Sequence, residues 1–140
     1  MKEIWKPIIG YIGFYSASSL GRVRRDAAYK STKSGRIIKS YANPSYPKVS
    51  LCKNNIKKTI SVHRIVAIAF LGKRPKGKDI NHKDGNKLNN CVLNLEYVTT
   101  KENVHHAVRN GLHPSGPRHG NWKHGKYSHT FEHRIHHLLE

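Results

Sequence analysis

The chain has 140 residues, a hydrophobic fraction of 36% and a formal net charge of +18, from 26 Lys+Arg against 8 Asp+Glu. That length holds one modest core with appendages and excludes two full-sized ones, and so large a basic excess points to a polyanionic partner, nucleic acid first. Cys52 and Cys91 form no CxxC pair and no apolar stretch is long enough for a membrane span or a secretory signal, which argues against a disulfide scaffold, a cysteine zinc knuckle or secretion and for a cytoplasmic setting.

The charge is uneven. Residues 1–78 carry 18 basic residues against only Glu3 and Asp26, whereas residues 79–140 carry 8 against 6. No acid lies between Ala27 and Lys78. One part of the chain is suited to gripping a polyanion while another is left for different work.

Taken in order, residues 4–23 alternate short apolar runs with Gly10, Gly13 and Gly21, the pattern of short strands joined by tight turns, with Trp5, Tyr11 and Tyr15 as core residues. Residues 46–62 predict a hairpin in which Val49 and Leu51 share one side, Asn54-Asn55 supplies the turn, and Lys57 to Val62 return. From Ser61 the period changes. Val62, Ile65, Val66, Ala69 and Phe70 fall at helical spacing, Ser61 is the N-cap, and Gly72 with Pro75 stops the helix. His63 and Arg64 read as surface or capping residues, with phosphate contact as the functional alternative.

Asp79–His82 predicts a short strand, residues 83–90 a polar loop, and Leu95–Val98 a second strand. Thr99 and Glu102 offer a capping box that opens a helix to about Asn110, with Val104, Ala107 and Val108 as its apolar stripe and Gly111 as its stop. Asp84-Gly85-Asn86 is turn chemistry, and Glu96 reads as a polar strand residue rather than a metal ligand. Past Gly111 the Pro and Gly content predicts a loose tail to Ser128, then a short helix over residues 130–139 with Ile135, Leu138 and Leu139 on its apolar side. His133, His136 and His137 have chelate spacing there, but incidental histidines in a polar tail are the plainer reading; Gly120–Gly125, with Trp122 and Lys123, reads as an accessory DNA contact.

Hydrolysis of a phosphodiester at neutral pH needs an activated water, neutralisation of charge building on phosphate, and protection of the leaving oxygen. One imidazole and one divalent cation supply all three. Histidine suits the base because its ordinary pKa lies near working pH. Residues 79–110 carry the pieces: Asn81 and His82 adjacent on a strand, and Asn103 and His106 three apart on one helix face.

The run Val62-His63-Arg64-Ile65-Val66-Ala67 with Ala69-Phe70, then Ile80-Asn81-His82-Lys83-Asp84-Gly85-Asn86-Lys87 with Asn89-Asn90, then Asn94-Leu95-Glu96-Tyr97-Val98-Thr99 and Glu102-Asn103, resembles the phage and intron HNH homing endonucleases over roughly residues 60–107. Upstream, Trp5-Lys6-Pro7-Ile8, Gly10-Tyr11, Gly13, Tyr15, Ser18 and Leu20-Gly21-Arg22-Val23-Arg24 resemble the nuclease-associated modular motif that often precedes that domain.

The resemblance implies an α+β chain: a β-rich DNA-binding module over residues 1–59, a ββα-metal nuclease core over residues 60–111, and a flexible tail over residues 112–140. It implies His82 as general base and Asn94 as the residue that steadies the loop and orients that histidine. Asn81 and Asn103 would be metal ligands; His106, without a counterpart in the homing branch, is a separate candidate for an auxiliary ligand or phosphate contact. An amide is a weaker ligand than the Asp or His often found at the position of Asn81. The expected cofactor is Mg²⁺, with Mn²⁺ as an alternative, and the expected partner is double-stranded DNA, bound by a monomer or weak dimer with no obligatory protein partner. Arg22, Arg24, Arg25, Lys30, Lys33, Arg36 and Lys39, with Lys57, Lys58 and Lys87, are the candidates for neutralising phosphates. The competing function is a DNA-binding accessory or regulatory protein with an inactive nuclease centre; an RNA-binding role finds no RNP-like or KH-like pattern.

Overall fold

The computed structural model describes residues 2–41 and 46–111, so the expectations for residues 112–140 lie outside the described residues. By compactness the chain divides into two units, Met1–Tyr97 and a second beginning at Val98.

The first unit opens with a three-stranded antiparallel sheet, β1 (Trp5–Pro7), β2 (Tyr15–Ser18) and β3 (Val23–Arg25), in that order. Ala17 lies opposite both Lys6 and Val23. The predicted hairpin is β4 (Lys48–Lys53) and β5 (Ile56–Ser61), antiparallel with Val49 opposite Ile60. Asn54 and Asn55 make its turn with φ of 51° and 63°, the left-handed pair a two-residue hairpin needs in order to follow strand twist. Period-2 alternation buries Val49 and Leu51 on one face of β4.

Helix α1 (Val62–Leu71) follows at the predicted boundary. Ser61 occupies the N-cap but makes no side-chain cap bond; instead the Val62 N–H donates to the Pro47 carbonyl at 2.9 Å. The hairpin thus supplies a partner for one of the donors that a helix start leaves unpaired. Val62, Ile65, Val66 and Ala67 join Ile8, Tyr15, Ala17, Val23, Val49, Leu51 and Leu95 in one core, so strands from the first half and the helix that follows them bury a common apolar face. The Tyr15 hydroxyl ties β2 to β4, accepting from the Cys52 N–H at 3.0 Å and from Arg25 Nη1 at 2.8 Å.

Strand β6 (Lys78–His82) and strand β7 (Leu95–Thr99) form a two-stranded sheet, joined by a loop that ends in one 3₁₀ turn at Val92–Asn94. In the second unit lies α2 (Thr100–Arg109), started by the predicted capping box. Thr99 Oγ1 accepts from the Glu102 N–H at 3.1 Å, and Glu102 Oε2 accepts from the Thr99 N–H at 2.7 Å.

Three placements differ from the sequence reading. His63 is not a surface residue: it is 9% exposed, because α1 buries a wider arc than one apolar stripe. Arg25, expected to reach phosphate, is 7% exposed and binds the Tyr15 hydroxyl and the Ala27 carbonyl. Trp5 is half-buried rather than in the core, with the guanidinium groups of Arg24 and Arg22 over its ring at 4.4 and 5.6 Å.

Candidate active site

The loop between β6 and β7 is closed by one asparagine. The Asn94 carbonyl accepts from the Lys83 N–H at 2.8 Å, and its Oδ1 accepts from the Asp84 N–H at 3.0 Å. Its Nδ2 donates to Asp84 Oδ1 at 2.9 Å and to the Asn89 carbonyl at 2.8 Å. Asp84, Asn86 and Asn89 each also accept a backbone N–H two residues on, so the loop is a chain of side-chain-closed turns. Donors from Asn89, Asn86 and Asn94 hold the Asp84 carboxyl below the usual carboxylate range. Asp84 is therefore a brace, as its turn chemistry predicts.

His82 ends β6 with 5% exposure, and its Nε2 meets Asn90 Oδ1 at 2.8 Å. An amide oxygen at that distance places the ring proton on Nε2 and leaves Nδ1 as the basic atom. Asn90 itself is 6% exposed. It is held from behind: a Cβ on Gly21 would come within 2.8 Å of the Asn90 carbonyl group, and the Val92 N–H donates to the Ser19 carbonyl at 2.9 Å. The turn between β2 and β3, with Gly21 at φ +86°, packs directly on the loop that orients the histidine.

Two further rings surround His82. Tyr46 stacks on it with centroids 5.8 Å apart, and His63 lies 5.4 Å away. Tyr46 also packs 4.5 Å from His63, and Lys87 Nζ lies 4.7 Å from the Tyr46 ring on its exposed loop. Burial, reinforced by positive charge on His82 and Arg64, pushes the His63 imidazole down to about 4, and its Nδ1 is buried without a hydrogen-bond partner. At neutral pH His63 is an uncharged packing wall for His82.

Asn81, 6% exposed, precedes the histidine and donates Nδ2 to Glu96 Oε1 of β7 at 2.9 Å. A carboxylate accepts only, so this contact fixes the amide with its NH₂ toward Glu96 and its Oδ1 free for another partner. Among the described residues no group of three His, Cys, Asp or Glu side chains converges. The Asn81 amide oxygen is nonetheless a hard donor of the type Mg²⁺ and Mn²⁺ take, the Glu96 carboxylate at its NH₂ end adds negative charge nearby, and such ions keep several waters and substrate oxygens besides. The donor set fits a weakly held divalent cation. Asn103 and His106 lie on α2, in the second unit, three residues apart on one helix face.

Of the basic candidates, Arg22 pairs with Glu3 and Arg24 with Asp26 at 3.0 Å, so the two acids of the basic half are bound to arginines. Lys30, Lys33, Arg36, Lys39, Lys57, Lys58 and Lys87 are exposed. The sequence reading missed Asn90, His63 and Tyr46 around the histidine; nothing distinguishes Asn90 from Asn86 or Asn89 in the string.

Residues 61–105 match the family model described as HNH endonuclease, and residues 3–52 match the NUMOD4 motif. The two matched segments follow one another along the chain. The HNH segment contains His82, Asn90, Asn94 and the Asn81–Glu96 pair; the NUMOD4 segment contributes the turn that packs on Asn90. DNA endonuclease I-HmuI of Bacillus phage SP01 is 41% identical over 108 residues, 76% of this chain and 59% of that protein. HNH endonuclease L245 of Acanthamoeba polyphaga mimivirus is 44% identical over 108 residues, 77% of this chain and 31% of that protein. The solved structure describing DNA binding and cleavage by the HNH homing endonuclease I-HmuI has a TM-score of 0.68 at 39% identity, covering 79% of this chain and 60% of that one. The fold is therefore the HNH type. The chain spans between about a third and three-fifths of these relatives' length.

Proposed function

We propose that this chain is a divalent-cation-dependent endonuclease that hydrolyses phosphodiester bonds of double-stranded DNA. The observation that supports it most is the His82–Asn90 contact, in which the Asn90 amide oxygen faces Nε2 at 2.8 Å and leaves Nδ1 as the ring atom that can take a proton. His82 Nδ1 takes the proton of the attacking water, while Asn90 stabilises the ring's Nε2–H as positive charge develops. Asn94 acts through the loop it closes, keeping Asn90 and His82 in register, and not by contact with the ring.

When bound, the cation, Mg²⁺ or Mn²⁺, offsets charge on the phosphate and the leaving oxygen. Asn81 would hold it. Residues 1–59 act as the DNA-gripping module and residues 60–111 as the nuclease core. In the gripping module Lys30, Lys33, Arg36, Lys39, Lys57 and Lys58 neutralise phosphates. The single hydrolytic centre nicks one strand per binding event. The expected setting is the cytoplasm of a phage-infected or bacterial cell.

The amide at Asn81 favours a second reading, a DNA-binding protein whose nuclease centre is inactive. Incubation of supercoiled plasmid with the chain in Mg²⁺ and in EDTA separates the two. The nuclease reading expects nicked circles in Mg²⁺ alone; bound but intact plasmid in both supports the second.

A further inference from the structure

The position before the base carries a neutral amide, yet that amide is bonded to an anion. Asn81 Nδ2 donates to Glu96 Oε1 at 2.9 Å across the β6–β7 pair, and it is the side-chain contact that both residues make among the described residues. Asn81 is 6% exposed and Glu96 half-buried, so the bond sits where solvent screens it poorly. Two consequences follow from elementary chemistry. The carboxylate can face only the NH₂ end of the amide, so Oδ1 of Asn81 is held away from Glu96 and open. And Asn81 with Glu96 carries one negative charge in total, the charge a single aspartate at position 81 would bring, moved to the neighbouring strand. An aspartate at position 81 facing Glu96 would instead set two carboxylates against each other.

We infer that Glu96 is a charge-bearing positioning residue of the cation site: it orients the Asn81 oxygen toward the cation and supplies the negative charge that Asn81 lacks. The inference rests on the nuclease reading above and extends it to a strand residue that spacing alone assigns to a polar surface. It also explains how an amide can serve in a cation site without leaving that site neutral.

Manganese alone, added to the full chain and followed by the electron paramagnetic resonance of free Mn²⁺, tests it without reference to cleavage. Glu96→Gln keeps an oxygen to accept from Asn81 and removes only the charge, so the fold is retained; circular dichroism checks this. The expected result is Mn²⁺ affinity lowered roughly 10–100-fold. The double variant Asn81→Asp with Glu96→Gln returns the charge to the other strand and recovers affinity to within about threefold of the parent, which a purely structural role for Glu96 does not produce. Equal Mn²⁺ binding by the parent and Glu96→Gln overturns the inference alone. Absence of Mn²⁺ binding by the parent chain at millimolar concentration overturns the cation-dependent reading, and the inference with it.

Discussion

Replacing Asn90 by alanine removes the acceptor that faces His82 Nε2 at 2.8 Å, between two side chains that are 6% and 5% exposed. The ring N–H is left in a site closed to solvent, at a cost of about 1–3 kcal/mol of folding stability. With a urea m-value on the order of 1–2 kcal/mol/M, the unfolding midpoint falls by roughly 1 M, well above measurement error. The kinetic effect is separate. Without Asn90 the imidazole no longer has its proton assigned to Nε2 and its plane fixed, and loss of such an orienting partner costs roughly 10–100-fold in rate. Asn90→Asp keeps an oxygen at the same place and retains most of that rate. The assay is single-turnover nicking of plasmid at saturating protein, below each variant's unfolding midpoint, so that binding and folding drop out. If Asn90→Ala nicks at the parent rate, Asn90 does not orient the base, whatever happens to stability.

Folded His63 takes its proton near pH 4 and the unfolded chain near 6.5, so between these values the unfolded state binds the extra proton. The stability from keeping this ring neutral is complete above pH 6.5 and falls by about 3 kcal/mol as pH drops through 4, whereas His63→Phe, which keeps a ring but cannot titrate, loses that part of the pH dependence. A parent chain whose urea midpoint is flat over this window contradicts the burial argument. Arg25→Ala is expected to lower stability by about 2–4 kcal/mol, through its lost bonds to Tyr15 and Ala27, with no change in the salt dependence of DNA binding. The exposed pair Lys57→Ala with Lys58→Ala behaves oppositely: stability holds within about 0.5 kcal/mol, while the slope of log affinity against log salt falls by about 2. An Arg25→Ala variant that weakens the salt slope would show that the buried guanidinium opens to reach DNA.

What the string made legible was local and periodic. Val49 and Leu51 alternating before Asn54-Asn55, the helical recurrence from Val62 to Phe70, and Thr99 with Glu102 each encode an element through side chains a few residues apart. The HNH resemblance implied the α+β architecture that the I-HmuI comparison bears out. What was not legible depended on tertiary register. Arg25 and Arg24 look alike in sequence, but only Arg25 lies beneath the Tyr15 hydroxyl that β4 also grips. His63 follows Val62 at a helix start, where exposure is the usual outcome, and is enclosed by Tyr46 from another segment. Among Asn86, Asn89, Asn90 and Asn94, backbone closure by three of them is turn chemistry, whereas contact of Asn90 with His82 arises from how the loop folds back. The Asn81–Glu96 bond likewise exists through pairing of β6 with β7, which neither strand reveals alone.

Cleavage rests on proton transfer to one imidazole, and nicking by His82→Ala in Mg²⁺, measured beside DNA affinity, tests this most directly. The expected result is nicking slowed by roughly 10²–10⁴-fold with affinity changed less than about twofold. Nicking at the parent rate by a folded, DNA-bound His82→Ala chain would contradict it.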